Sequence, residues 1–141
     1  MIEQFSGKYA FLSNFYSCPV TYEDVEYPSA EHAYQAAKTL SKIERSFIRK
    51  LQTAAKAKKA GRKVKLRADW DHLKIQVMEE ILRNKFTRHT YLQNALLKTE
   101  DEILQEGNTW GDHFWGVDLK TKFGENHLGE ILMKIRDELK N

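Results

Sequence analysis

Apolar positions along the chain change period near Ser29. Before it, Val20, Tyr22, Val25 and Tyr27 alternate with polar neighbours, and Glu23-Asp24 can supply a short connection, so a two-stranded hairpin is predicted. After Pro28 the spacing becomes helical: Ala30, Ala33, Tyr34 and Ala37 line one stripe, and Ser29 can accept a hydrogen bond from a first-turn amide. Ser41 and Glu44 form a capping box for a second helix, with Ile43, Phe47, Ile48 and Leu51 as its expected inward face. Thr53 can cap a third over residues 54–60, with Gly61 placed to end it. Asp69 is expected to cap a longer central helix carrying Trp70, Leu73, Val77, Met78, Ile81 and Leu82. Residues 91–98 read as a further helix burying Leu92, Ala95 and Leu96. The last, from about Asn126, aligns Leu128, Ile131, Leu132, Ile135 and Leu139.

Helices of this length must pack their stripes on one another. The expected fold is therefore mainly α: a compact multihelical single domain over residues 1–141 with a small N-terminal β-hairpin. Residues 107–116, rich in glycine and aromatics, have no regular period, and such loops between helices often carry function.

Composition narrows the class. A chain of 141 residues can bury a full core, and neither a linker nor a repeat divides it. Cys18 is its one cysteine, so no intrachain disulfide forms and a reducing compartment is expected. The first residues lack a signal-peptide pattern, and no run approaches the roughly 18 apolar residues of a membrane span. A soluble, cytoplasmic protein is the expectation. The formal charge is only +3, but Lys56, Lys58, Lys59, Arg62, Lys63, Lys65 and Arg67 crowd one short stretch.

Candidate chemistry begins on the first helix. Glu31, Gln35 and Lys38 stand at i, i+4 and i+7 and share one face, with Tyr34 at its edge. By spacing alone, a solvated polar stripe is the ordinary reading. Against it, Glu31 sits in the first turn, where free amides favour a carboxylate while nearby aromatics would desolvate it, a setting for a general acid or base. A partly buried Lys38 would suit imine formation. Gly61-Arg62 could grip a phosphate, or belong to a solvated basic face. Trp70 fits a core stripe, whereas Trp110 and Trp115 flank Asp112 in the irregular loop and could stack on a ring. Asn14 lies between aromatics, beside Phe15. The five histidines show no HxxxH or HExxH spacing, and there is no P-loop, dinucleotide fingerprint or GxSxG elbow; neither metal nor cofactor is expected.

Several segments together resemble the NADAR (YbiA-like) family of N-glycosidases, from about Tyr9 to Leu139. They are Phe11-Leu12-Ser13-Asn14-Phe15, the run from Tyr27 through Lys38, Ala60-Gly61-Arg62, Arg67-Ala68-Asp69-Trp70, Lys85-Phe86, Trp115-Gly116, and Gly124-Glu125-Asn126-His127-Leu128-Gly129. The resemblance implies hydrolysis of a bond between ribose C1 and an exocyclic amine. The substrate would be ADP-ribosylated guanine, free or within nucleic acid, or a ribosylamino-pyrimidine phosphate of early riboflavin synthesis. It further implies Glu31 as acid and base, Asp112 as holder of ribose hydroxyls or water, Arg62 on phosphate, Trp70 as a pocket wall and Trp115 stacked on the ring; because a glycosylamine can open to an imine, Lys38, on the helix face shared with Glu31, is the expected amine that meets C1. Asn14, Phe15, Tyr34, Gln35 and Gly116 complete the expected binding set. Two positions depart: Ala33 stands where some relatives carry a bulkier aromatic, and Val117 where some carry an acid, for which Asp118 could substitute.

Two other readings use the same residues. One is a module that holds ADP-ribose or a related nucleotide without cleaving it. The other is a nucleic-acid binder using residues 56–67, which the balanced acidic remainder argues against.

Overall fold

The hairpin forms as the alternation predicts. Strand β1 (Ser17–Tyr22) pairs antiparallel with β2 (Val25–Ser29), placing Val20 opposite Tyr27 and Tyr22 opposite Val25. Its turn is built without glycine. Glu23 and Asp24 both take positive φ, 47° and 65°, the signature of a two-residue type I′ turn that matches the twist of the flanking strands. The structure, a computed structural model, describes residues 1–141 and gathers them into two compact units: residues 14–88, and residues 1–13 with 89–141.

In the unit of residues 14–88, the hairpin leads into α1 (Ala30–Ala37), followed by α2 (Lys42–Arg49), α3 (Ala54–Gly61) and α4 (Trp70–Arg88). Ser29, Ser41 and Thr53 cap the first three through their hydroxyls, each accepting from the amide three residues on. Helix α1 is the hub of the unit, packed by both strands and by α2, α3 and α4, and all eight of its residues are buried. Ala30, Ala33, Ala36 and Ala37 let these neighbours approach closely, since each presents one methyl group. Val20, Tyr22, Tyr27, Ile48, Val77, Met78, Ile81, Leu82 and Phe86 complete the core.

Three details differ from expectation. Helix α2 buries only Ile48 of its expected inward set; Ile43 is 84% and Phe47 61% exposed, so its apolar stripe is only partly used. Asp69 spends its carboxylate on Arg67, at 2.7 Å from Nε and 3.3 Å from Nη2, instead of capping α4. Gly61 closes α3 from within, and packing explains it: a Cβ there would lie 1.8 Å from Oε1 of Gln35.

In the other unit, a 3-10 turn (Gly7–Leu12) precedes α5 (Thr90–Leu97) and α6 (His127–Leu139). Leu12, Leu92, Leu96, Leu104, Leu128, Ile131, Leu132 and Ile135 form its core with Ile2, which is fixed by a bridge to Leu104. Arg136 is buried there and donates from Nη1 to Thr99 Oγ1 (2.9 Å) and the Glu102 carbonyl (2.8 Å), tying α6 to the end of α5. The segment at 107–118, aperiodic in sequence, contains a short parallel pair, β3 (Gly107–Asn108) with β4 (Val117–Asp118). No helix is long and apolar enough to cross a membrane.

Candidate active site

The polar face of α1 is buried, contrary to the solvated-stripe reading: Glu31 is 7% and Gln35 4% exposed. Buried polar groups of this kind have to be paired, and Gln35 Nε2 donates to Glu31 Oε2 at 2.5 Å, one helical turn apart. Beneath the amide lies Gly61 of α3, the only residue type whose backbone leaves room for Gln35 in this position. Gln35 Oε1 has no hydrogen-bond partner within the protein. At the start of the helix the Glu31 amide donates to the Asn14 carbonyl at 3.0 Å, while Asn14 Nδ2 reaches Met78 Sδ at 3.4 Å and Asn14 Oδ1 is buried without a partner. The helix entry is thus fixed from both sides of its first turn.

Lys38 follows the last turn. Its ammonium lies 5.5 Å from the Tyr34 ring centroid, and Tyr34 in turn packs at 5.3 Å on Trp70, both rings being buried. Desolvation is the main influence on this amine and holds it below the ordinary lysine range. Glu31 pulls the other way, and the nearby charges of Arg62, Lys58 and Lys74 push it further down. The same electrostatic neighbourhood therefore contains a carboxylate and a partly desolvated amine. Lys58 also lies over the Phe15 ring, at 5.9 Å. Arg67 fastens the end of α1: its amide donates to the Lys38 carbonyl at 2.8 Å and its Nη1 to the Ala37 carbonyl at 3.5 Å, with Asp69 orienting the guanidinium.

His32, on the same helix, is structural. Its Nε2 meets the Leu51 carbonyl at 2.9 Å, and because a carbonyl only accepts, that nitrogen carries the proton. Nδ1 is then the acceptor for the Ser29 hydroxyl at 2.7 Å, and burial holds the ring below the usual histidine range, neutral.

The structure therefore brings Asn14, Phe15, Glu31, Tyr34, Gln35, Lys38, Arg62 and Trp70 into one unit. Asp112, Trp115 and Gly116 belong to the other, where they form a constellation of their own. Asp112 Oδ1 accepts from the amides of Phe114 (3.0 Å) and Trp115 (2.9 Å), and its own amide and carbonyl are held by the side chain of the buried Asn108. Gly116 is required there, since a Cβ would fall 2.1 Å from the backbone carbonyl oxygen of Glu106. Trp115 packs edge-on to Phe114 at 4.9 Å. Lys74 and the packing role of Gly61 were missed by sequence reasoning, which saw Lys58 and Arg67 only as members of a basic stretch. No spacing rule marks them, because what matters is which helix they face.

A family model described as the NADAR domain matches residues 2–140, covering both units. The chain belongs to the NADAR domain family. Among similar proteins, an N-glycosidase of Nostoc punctiforme is 38% identical over 138 residues, spanning 94% of this chain and 87% of that protein. N-glycosidase YbiA of Escherichia coli is 37% identical over 136 residues, spanning 95% and 84%. A riboflavin biosynthesis protein of Vibrio vulnificus is 38% identical over 133 residues, which make up 93% of this chain but 36% of that longer protein. The NMR structure of E. coli YbiA superposes with a TM-score of 0.86 at 33% identity, over 99% of this chain and 87% of that one. The mainly helical fold with its small hairpin is thus the fold of a solved NADAR relative.

Proposed function

We propose that this NADAR protein hydrolyses N-glycosyl compounds, as its relatives' names state of them, and that its target is the bond from ribose C1 to an exocyclic amine. The substrate class is ADP-ribosylated guanine or a ribosylamino-pyrimidine phosphate. The observation that carries the reading is the desolvated Lys38 amine in electrostatic contact with a buried glutamate on the same helix. A solvated surface stripe would leave the glutamate exposed and the amine hydrated.

The chemistry that suits this pair starts with a glycosylamine that opens to its imine. The free amine of Lys38 attacks C1, forming a C1–Nζ bond, and the bond from C1 to the departing amine breaks as Glu31 delivers a proton to that nitrogen. Water, giving its proton back to Glu31, then adds to the lysine imine and releases the sugar and the amine of Lys38. Gln35 fixes the glutamate's orientation. Arg62 and the lysines around it supply the field for a phosphate, and Trp70 with Tyr34 supplies a wall for the sugar. Asp112 acts by ordering the backbone that presents Trp115.

The test is release of free base from each substrate class, with borohydride added to trap a sugar–lysine adduct. Glu31→Gln is expected to abolish turnover with the fold intact, and Lys38→Arg to abolish both turnover and trapping. Binding of ADP-ribosylated guanosine without release by the unaltered protein would replace the enzyme by a binding module. Trapping in Lys38→Arg would move the imine to another residue.

A further inference from the structure

A groove of about 480 Å³ lies between β2 and α2, and it contains none of the residues assigned to the reaction. That volume suits a small ligand. Lys42, Arg45, Ser46 and Arg49 line it at i, i+3, i+4 and i+7, one continuous face of α2. Val25 and Tyr27 form the opposite wall.

The division of labour among these side chains points to a ligand. Arg45 is committed to the protein: Nε donates to the Thr39 carbonyl at 2.7 Å, Nη1 pairs with Glu23 at 2.9 Å, and the guanidinium lies 5.7 Å from the Tyr22 ring. It neutralises the one carboxylate lining the groove. Lys42 and Arg49 make no ion pair within the protein, which leaves two uncompensated positive charges at one small cavity. Tyr27 supplies the independent observation. The residue is 98% buried, being 2% exposed, it lines the groove, and its hydroxyl has no hydrogen-bond partner within the protein. Burial raises the phenol above its usual range, so it stays a donor. Two unpaired cations, a phenolic donor and the Ser46 hydroxyl make a set matched to the oxygens of a doubly charged phosphoryl group, and the exposed Val25 offers an apolar surface beside it.

We propose that this groove is a second, non-catalytic site that binds a dianionic phosphoryl group, with Lys42 and Arg49 on its charge and the Tyr27 and Ser46 hydroxyls on its oxygens. The group can come from inorganic phosphate or from the monoester of a nucleotide. The site does not depend on the proposed reaction, because the two share no residue.

The experiment is an amide NMR titration of the full chain with inorganic phosphate, AMP and adenosine at constant ionic strength. Saturable shifts at Tyr27, Ser46 and Arg49 are expected with AMP and absent with adenosine. An equal response to inorganic phosphate assigns the site to the phosphoryl group alone, and a tighter response to AMP assigns it to the nucleotide. Arg49→Gln and Lys42→Gln should each weaken binding tenfold or more, and Tyr27→Phe severalfold, while Glu31→Gln leaves it unchanged. If Tyr27→Phe disturbs the fold, the two surface substitutions alone decide. Adenosine binding as well as AMP, unchanged affinity in Arg49→Gln and Lys42→Gln, or shifts confined to the Glu31–Lys38 face would each overturn the proposal.

Discussion

Replacing Gly61 by alanine tests whether the Gln35–Glu31 pair depends on the close approach of α3. A methyl group at position 61 would lie 1.8 Å from Gln35 Oε1, 2.6 Å from its Cδ and 3.1 Å from its Cβ. The first two contacts are impossible, so the amide must swing away and break the 2.5 Å bond to Glu31. Overpacking of this kind costs about 1–3 kcal/mol, and the lost bond to a charged group about 1.5–3 kcal/mol. These overlap, because moving the side chain relieves the clash. A net loss of about 2 kcal/mol is expected from the larger of the two. Without the clash the sign reverses: Gly61 has no positive φ and lies inside α3, where alanine gains up to about 0.5–1 kcal/mol over glycine. In a Gln35→Ala background, where only the 3.1 Å contact to Cβ persists, Gly61→Ala should therefore be neutral or stabilising. The double-mutant cycle should yield a coupling on the order of 2 kcal/mol, measured by urea denaturation of all four proteins. Turnover should fall in Gly61→Ala because Glu31 loses its orienting partner. Additive stabilities, or full activity in Gly61→Ala, would show that Gly61 does not hold the amide on the glutamate.

Two further perturbations probe groups outside that pair. Lys85 is fully buried on α4 against the Tyr16 and Phe86 rings, and burial lowers its ammonium to about 8. The unfolded chain holds that proton to about 10.5, so between these values the unfolded state binds more protons and stability gains with rising pH. Relative to Lys85→Met, the natural protein should gain about 3 kcal/mol between pH 7 and 10.5; a constant difference in denaturation midpoints would mean that Lys85 is not titrating there. Asp112→Ala should loosen the loop, read as a change in tryptophan emission and faster amide exchange at Phe114 and Trp115. Asp112→Asn, which keeps an accepting oxygen, should preserve both the loop and most turnover. Loss of turnover in Asp112→Asn with the loop intact would instead place the carboxylate on the substrate.

The elements were legible because the sequence states them redundantly. Three hydroxyl caps, the two-residue turn and the stripes of α4 and α6 each combine a local signal with a periodic one, and local and tertiary preferences agree. The exceptions are positions where a second partner competes. Asp69 has the right place for a cap but faces Arg67, whose guanidinium outbids neutral amides for the carboxylate. Ile43 and Phe47 have core spacing on a helix whose one well-covered position is Ile48. The parallel pair at 107–108 and 117–118 is only two residues per strand, too short to show any alternation.

The site divides along the same line. Glu31, Gln35 and Lys38 were readable as one face because a helix fixes the angle between i, i+4 and i+7 whatever surrounds it. Whether that face meets water depends on α2, α3 and α4, whose placement around α1 is tertiary and leaves no period in the sequence. Once those helices close around α1, a carboxylate and an amine that would be inert in solvent become a buried acid–amide pair beside a desolvated lysine. Gly61 records that closure in the sequence, yet it does so as a single small residue at a helix end, the position where glycine is also the ordinary terminator. Its meaning therefore follows from the 1.8 Å that separates a hypothetical methyl from the Gln35 amide, and from nothing shorter in range.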